Sequence, residues 1–423
     1  MIDQDSAWMR GLLMAFLVTL FIPRAIALDI GSLSLTPALV VSIFLFPTLI
    51  FTGKMKWALP DTVLVMFFTA AFYSTLRSVE ASRAIESFGR GLLLSVVPYL
   101  MGRYLGVRPK LFNLFMRRTM TVMAVLGVLT LLESFFRFNI HAVLWNQPYD
   151  PHHQQRLGLT RAYGWTSHSI MLGISFAVFV PVMAIAARER IKHLGNYCWL
   201  KVGLLLVGVF CSLSTGAWGP AVVALCLVCW DYFAPFKPGT RWLIVFVGGS
   251  ATWFILEVLS GRPLLRILMM ELHLSSPMAW HYRWELYRRI YAVMPGFEWF
   301  GHGINTPAAI ADSFQWSIDN HYLVVLMQYG RVGLTLWLGL LAAVLIYGWK
   351  SVWNASDTSY RRIARALLIA LVAVALTQLS VALFSTAAML NWLFLGLGVG
   401  MAQSLRADED RAKKARPSPG GRR

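Results

Sequence analysis

Long apolar runs constrain this chain more than any other feature of its sequence. Several of them reach the ~18–20 residues that a helix needs to cross a lipid bilayer. In lipid the backbone must satisfy its own hydrogen bonds, which leaves helices or a closed barrel as the possible folds. The runs lack the short polar–apolar alternation of barrel strands, and hydrophobic residues make up 57% of the chain. The sequence therefore predicts an all-α polytopic integral membrane protein.

The apolar runs divide into about twelve predicted transmembrane segments. A charged stretch at 77–90 alternates in sign at helical spacing, which is typical of a short interfacial helix. We predict a single transmembrane catalytic domain over 1–403 and a disordered, basic cytoplasmic tail over 404–423. The predicted segments are 8–28, 36–53, 59–76, 91–105, 119–136, 170–187, 198–213, 216–233, 242–259, a segment that begins after residue 321, 364–379 and 381–400.

Charge gives the predicted orientation. A net charge of +18 would indicate nucleic-acid binding in a soluble protein. Here the basic residues fall in short loops and in the tail, where membrane topology and anionic lipid account for them, so no nucleic acid is expected. Placing both termini in the cytoplasm puts the excess of Lys and Arg on that side. The two long polar loops, 137–167 and 260–320, then both face outward, which in a bacterium would be the periplasmic side of the inner membrane.

Several classes of site are not indicated by the sequence. The four cysteines, Cys198, Cys211, Cys226 and Cys229, all lie in predicted membrane segments. The CxxC formed by the last two is better explained as small apolar residues on a helix in lipid. No His, Cys, Asp and Glu cluster has the spacing of metal ligands, and no nucleotide-binding signature is present. We therefore expect no metal and no cofactor, and a nucleotide-driven pump is disfavoured.

Arginines in the outward loops are the first candidate binding residues. Basic residues are depleted on the outer face of membrane proteins. Arginines that remain in the outward loops therefore indicate a function, and these are Arg161, Arg262, Arg266 and Arg283. A guanidinium group binds a diphosphate bidentately and keeps its charge. These four residues are therefore candidate ligands of an anionic diphosphate. The alternative is that each of them reaches to lipid phosphates or pairs with a nearby glutamate.

The polar tripeptide Asp319-Asn320-His321 lies at the start of a long apolar helix and contains the candidate bases. A neutral imidazole or a carboxylate can take the proton of an acceptor hydroxyl, so His321 and Asp319 both qualify. In an extended segment the two would project to one side, whereas a helix that starts at Asn320 would separate them. The alternative is a plain helix N-cap followed by an interfacial histidine. Gly330 and Gly333, three apart, are expected to share a helix face that lets another element approach.

In the order of its motifs the chain resembles the bacterial O-antigen ligase and O-antigen/exopolysaccharide polymerase superfamily. That family shows His-Asn, nine residues and then GxxG. Here Asn320 is followed by nine residues and by Gly330 and Gly333. Asp319 stands where the family has its histidine, and His321 follows two positions later. Further similar motifs are Arg161, Gly164, His168 and Gly173, then Ser214 to Ala217, and then Arg283, Gly301 and Gly303.

The resemblance implies an activity. It implies metal-independent, inverting transfer of a glycan from undecaprenyl diphosphate to an acceptor hydroxyl on the periplasmic side. It also implies that arginines bind the diphosphate. The acceptor would be a glycan in a polymerase or lipid A-core in a ligase, and Asp319 in place of the histidine favours a polymerase. From the residues we expect Asp319 and His321 both to matter, and the loss of His321 to be at least as damaging.

Two further classes of function remain open. One is a lipid-linked oligosaccharide flippase, which would be expected to bury charges in mid-span and to have related halves. The other is a non-catalytic partner in a polysaccharide-assembly complex. The sequence shows few mid-span charges, since Lys201, Asp231 and Glu257 fall near predicted segment ends. In every case the expected partners are membrane lipids, a lipid-linked glycan and other polysaccharide-assembly proteins.

Overall fold

A computed structural model describes most of the chain, and the described part is almost entirely helical. Six helices in it are long and apolar enough to cross a membrane, and three shorter helices are also apolar. The predicted fold class, an all-helical membrane protein, is confirmed at this level. The described residues are 7–23, 26–30, 33–52, 55–146, 155–191, 194, 196–236, 238–255, 285, 288, 299–305, 318–353 and 358–415.

The elements are numbered here in chain order over the described residues. Two antiparallel hairpins, β1 (Leu28–Ile30) with β2 (Leu33–Leu35) and β3 (Gln155–Arg156) with β4 (Leu159–Thr160), join helices. The helices are α1 (Ala7–Thr19), α2 (Pro37–Thr52), α3 (Leu59–Ser78), α4 (Ala81–Gly91), a π-helical turn (Leu92–Val96), α5 (Val97–Gly106), α6 (Pro109–Phe136), α7 (Ile140–Leu144), α8 (Ser169–Ala177), α9 (Val180–Arg188), α10 (Cys198–Cys211), α11 (Thr215–Phe233), α12 (Pro238–Phe254), α13 (His321–Trp353), α14 (Ser359–Thr377) and α15 (Ser385–Ala415).

Glycines allow the close packing of α5 against α15. Gly102 and Gly106 on α5 face Gly396 and Gly400 on α15, so two pairs with four-residue spacing meet. A Cβ atom at Gly396 would lie 1.9 Å from the carbonyl oxygen of Tyr99, which leaves no room for any side chain. This is the small-xxx-small packing of membrane helices, and it anchors the centre of the bundle.

The last helix continues into the region where the sequence predicts a disordered tail. Helix α15 extends to Ala415, whereas residues 416–423 lie outside the described part. The stretch 405–415 is rich in Ala, Arg and Lys, which favour helix. Glu409 accepts from Arg361 at 3.3 Å, and this contact ties the stretch to α14. Local helix propensity and a tertiary contact therefore both stabilise the additional helical stretch.

One end of the bundle gathers loops from several parts of the chain. The backbone N–H of Ala162 donates to the carbonyl of Cys211 at 3.0 Å, which joins the loop before α8 to the end of α10. The N–H of His321 donates to the carbonyl of Gln378 at 2.9 Å, which joins the start of α13 to the end of α14. Arg161, Asp319 and His321, the candidate binding and catalytic residues that the structure describes, lie at this end.

Candidate active site

The hairpin β3–β4 presents two arginines at this end of the bundle. Its turn residues, Leu157 and Gly158, have φ values of 55° and 76°, and two positive values are what a two-residue type I′ hairpin needs. Ser134 at the end of α6 donates its hydroxyl to the carbonyl of Thr160 at 2.8 Å, which anchors the hairpin. Arg156 lies in the first strand, and Arg161 directly follows the second.

The two arginines face the turn between α10 and α11. Arg156 donates to the carbonyl of Leu213 at 3.2 Å, and Arg161 donates through Nε to the carbonyl of Ser212 at 3.4 Å. Arg161 is buried, with 7% of its surface exposed. Burial, and then the charge of Arg156, lowers the pKa of Arg161 to about 10, so this guanidinium is still protonated at neutral pH. A buried cation beside a second cation favours an anionic ligand.

His168 joins the arginines and Asp319 in one electrostatic cluster. It is the N-cap of α8, and its Nδ1 accepts from the backbone N–H of Ile170 at 3.2 Å. Burial first, and then the charges of Arg161 and Arg156, lower the pKa of His168, while Asp319 opposes them. The imidazole is therefore neutral at neutral pH, with its proton on Nε2. The structure thus brings Arg161 and Asp319, both predicted from the sequence, into the range of one histidine.

Glu133 holds the loop that connects Arg161 to His168. This carboxylate in the last turn of α6 is buried and accepts from the backbone N–H groups of Tyr163 at 3.1 Å and Gly164 at 2.9 Å. It also accepts from Asn139 at 2.9 Å. No motif in the sequence points to Glu133. The available signal was a lone acidic residue in the last turn of an apolar helix, where the helix dipole and lipid both disfavour it.

Replacing Glu133 by alanine is expected to lower the free energy of unfolding by roughly 1–3 kcal/mol, because two loop N–H groups lose their acceptor. The activity of the site should fall with it, since the loop positions Arg161. Thermal unfolding of the detergent-purified protein measures the effect. Glu86→Ala is the control, because Glu86 forms only a half-exposed pair with Arg90 on α4. Equal unfolding temperatures for the two variants would remove the anchoring role of Glu133.

The polar tripeptide at the start of α13 contains a helix cap. The side chain of Asn320 accepts from the backbone N–H of Leu323 at 3.1 Å, and its carbonyl accepts from Val324 at 3.1 Å. Asn320 is therefore the N-cap, and α13 begins at His321. The turn into the helix separates Asp319 from His321, which is the second of the two arrangements left open by the sequence.

His321 packs inside the bundle. Its ring lies 5.3 Å from the ring of Trp337 at an interplanar angle of 68°, and Trp337 donates to the side chain of Gln378 at 3.1 Å. Within the described residues, Nδ1 of His321 and Nε2 of Gln378 are both buried without a hydrogen-bond partner. The two candidate bases therefore occupy different surroundings: the charge of Asp319 acts on His168, and His321 contacts the aromatic core.

The loop at residues 299–305 inserts into a break in α13. Gly330 interrupts the helix with φ 67° and ψ −164°, a backbone conformation that is essentially restricted to glycine. The freed carbonyls of Met327 and Gln328 accept from the N–H groups of His302 at 2.9 Å and Gly303 at 2.7 Å. The prediction that Gly330 and Gly333 share one helix face is wrong, because the helix is broken at the first of them.

Four predicted glycines still meet at this break. Gly301 and Gly303 have φ values of 63° and 59°, and a Cβ atom at Gly301 would lie 2.5 Å from the nitrogen of Gly330. A Cβ at Gly303 would lie 2.6 Å from a backbone Cα atom of α3. Gly333 leaves room for the side chain of Tyr329, whose Cβ would lie 2.2 Å from an added Cβ. The element that approaches closely is thus the loop rather than another helix.

Gly330→Ala is expected to destabilise the protein by about 1–3 kcal/mol, because alanine does not adopt this backbone conformation without strain. Gly339→Ala is the matched control in the same helix, where an added Cβ would meet only Val63 at 3.8 Å. Thermal unfolding of both purified variants tests the difference. A Gly330→Ala protein as stable as the control would contradict the break seen in α13.

A polar cavity lies beside this loop. Its volume is about 750 Å³, and Arg77, Arg83, Glu80 and Asn305 are among the residues that line it. Both arginines are exposed, at the end of α3 and the start of α4.

Three of the predicted diphosphate ligands, Arg262, Arg266 and Arg283, lie outside the described residues. Within the described part, no group of three His, Cys, Asp or Glu side chains could hold a metal ion.

The fold and the site together define a helical protein of membrane type. At one end of its bundle it carries arginines, a neutral histidine and a carboxylate. No protein-family model matches the chain, and no curated protein matches it.

Proposed function

We propose that this chain is a membrane glycosyltransferase that moves a glycan from a polyprenyl diphosphate to an acceptor hydroxyl. One observation carries the proposal. Arg161, buried and cationic, lies in one electrostatic cluster with Arg156, His168 and Asp319 at the end of an apolar bundle. A lipid-linked diphosphate needs cations at the membrane surface, and an acceptor hydroxyl needs a proton acceptor beside them. This cluster offers both.

The transfer assigns a role to each part of the cluster. Arg161 and Arg156 bind the diphosphate, and their charge stabilises it as a leaving group. Asp319 takes the proton of the acceptor hydroxyl. The acceptor oxygen then forms a bond to the anomeric carbon from the face opposite the leaving group. The bond from that carbon to the diphosphate oxygen breaks, so the configuration inverts and polyprenyl diphosphate departs. Nε2–H of His168 donates a hydrogen bond to the bound anion.

The polar cavity beside the loop at 299–305 favours a polymerase over a ligase. Arg77 and Arg83 line it at the same end of the molecule. A polymerase of repeat units takes two substrates that each carry a lipid-linked diphosphate, so it needs two cationic surfaces. A ligase takes one such substrate, and its acceptor is lipid A-core. Arg156 with Arg161 and Arg77 with Arg83 are two separate arginine groups, which suits two lipid-linked glycans.

The proposal places the site in the periplasm of a bacterium, with twelve passes and both termini in the cytoplasm. Supporting it, described helices occur at all twelve predicted segments. Labelling of single cysteines in a cysteine-free background tests the orientation. A cysteine at the exposed Arg137 should react with an impermeant reagent in intact spheroplasts, and one at Arg190 only after lysis. Reaction of the Arg190 position in intact cells would overturn the orientation.

Reaction of the purified, full-length protein with a polyprenyl-diphosphate-linked repeat unit tests the function. Longer lipid-linked glycans and released polyprenyl diphosphate are expected if the chain is a polymerase. A product that forms only when lipid A-core is added would show a ligase. Transbilayer movement of the substrate in vesicles, with no new glycosidic bond, would overturn the enzyme in favour of a flippase.

The flippase alternative has less support in the described residues. The buried carboxylates Asp61, Glu133 and Asp231 lie within the first or last turn of their helices rather than in mid-span. A transporter of charged substrates is expected to place such groups near the bilayer midplane. A non-catalytic assembly partner would leave the cluster of Arg161 and Asp319 without a role.

A further inference from the structure

The opposite end of the bundle contains a cavity of about 740 Å³ that the proposed reaction does not use. It lies among the carboxyl ends of α9, α11 and α13 and the amino ends of α10, α12 and α14. Five arginines and two carboxylates line its polar side. The arginines are Arg188, Arg241, Arg361, Arg362 and Arg365, and the carboxylates are Glu189 and Asp231.

The polar side of this cavity keeps an excess of positive charge after its ion pairs are made. Arg362 pairs with Glu189, Arg365 lies 3.5 Å from Asp231, and Arg361 pairs with Glu409 at 3.3 Å. Arg188 instead stacks over the ring of Tyr232, with 4.5 Å between its Cζ and the ring centroid. The five guanidinium groups still outnumber the three carboxylates that pair with them, so an anion is favoured there.

The remaining wall of the cavity is hydrocarbon. Ile185, Val202, Leu206, Leu225 and Val228 line it, all of them on helices that belong to the apolar bundle. Two further lining residues, Trp199 and Phe233, are 63% and 71% exposed and stand at its rim. Exposed aromatic side chains at a helix end are typical of the membrane–water interface. The cavity therefore joins a cationic head region to an apolar region at interface depth.

We propose that this cavity is a binding site for an anionic phospholipid. The phosphate lies among the arginines, and an acyl chain lies along the wall formed by α9, α10 and α11. Free inorganic phosphate or a soluble phosphoester would satisfy the arginines alone, but it would leave the apolar wall uncovered. Basic pockets between membrane helices bind anionic lipid headgroups in this way. The proposal rests on this end of the bundle and is independent of the glycosyltransferase proposal.

Native mass spectrometry of the full-length protein in detergent tests it. The probes are phosphatidylglycerol, phosphatidylcholine with the same acyl chains, and inorganic phosphate. Phosphatidylglycerol should bind at least several-fold more tightly than phosphatidylcholine. Arg188→Gln should weaken that binding by about tenfold, the effect of losing one charge-assisted hydrogen bond. Arg190→Gln should leave it unchanged, because Arg190 is exposed and does not line the cavity.

A second pair of variants tests the acyl chain. Cys229 and Cys226 are both exposed on α11, but only Cys229 lines the cavity. Cys229→Trp should therefore reduce lipid binding, and Cys226→Trp should not. Equal binding of the two lipids would overturn the proposal. So would displacement of phosphatidylglycerol by inorganic phosphate together with an unaffected Cys229→Trp protein, which would show a site for free phosphate.

Discussion

Asp319→Asn is expected to lower the rate of glycan transfer by about 10²–10⁴-fold, the loss that follows removal of a general base. The amide keeps the shape of the side chain but cannot accept the hydroxyl proton in the same way. The cap of α13 is made by Asn320, so the fold should be unaffected. The measurement is product formed per amount of folded, detergent-purified protein, and Glu86→Gln is the control.

The activities of two histidine variants test whether Asp319 acts as the base. His321→Phe keeps a ring against Trp337, so it should preserve folding and most of the activity. This reverses the ranking expected from the sequence, because the start of α13 turns His321 into the bundle. His168→Asn keeps a side-chain acceptor for the N–H of Ile170 while removing the imidazole. A folded but inactive His321→Phe protein beside an active Asp319→Asn protein would make His321 the base.

Arg161→Ala is expected to lower product formation by on the order of 10²-fold or more, because two charge-assisted hydrogen bonds to the diphosphate are lost. Arg161→Lys should restore only part of the activity, since an ammonium group cannot form the bidentate contact. Burial lowers the pKa of Arg161 to about 10, and the same burial will lower the pKa of a lysine placed there.

The dependence of activity on pH distinguishes diphosphate binding by Arg161 from a purely structural role of this residue. A lysine whose pKa is lowered carries its charge below that pKa and loses it above. The Arg161→Lys protein should therefore lose activity steadily as the pH rises through the weakly alkaline range. The wild-type guanidinium stays charged until about pH 10. Arg137→Ala, at an exposed position of the same end, is the control. Parallel profiles for the Arg161→Lys and wild-type proteins would contradict the diphosphate role.

Much of the architecture could be predicted because its signals are local. The segment predicted at 59–76 is α3 (Leu59–Ser78), and the segment predicted at 216–233 is α11 (Thr215–Phe233). An apolar run of this length needs no distant partner to become a helix in lipid. The cap at Asn320 was equally readable, since asparagine before an apolar helix bonds to residues three positions away.

The arrangement of the site depended on tertiary structure. No local pattern joins Arg161, in a hairpin before α8, to Asp319 before α13, because the contacts that bring α8, α10, α13 and α14 together are far apart in sequence. The break at Gly330 had the same origin. A GxxG in an apolar run is typical of a helix face, whereas in the fold the loop at 299–305 supplies N–H groups that replace the lost helical bonds.

The sequence by itself determined the helices, because hydrophobic length and backbone hydrogen bonding act within a single segment. Only the tertiary structure decided which polar groups share one environment. Glu133 shows the reason: its carboxylate is costly in an apolar helix until Tyr163 and Gly164, thirty residues away or more, supply the N–H groups that it needs. The same long-range packing places Asp319 within electrostatic range of His168 and the ring of His321 beside Trp337.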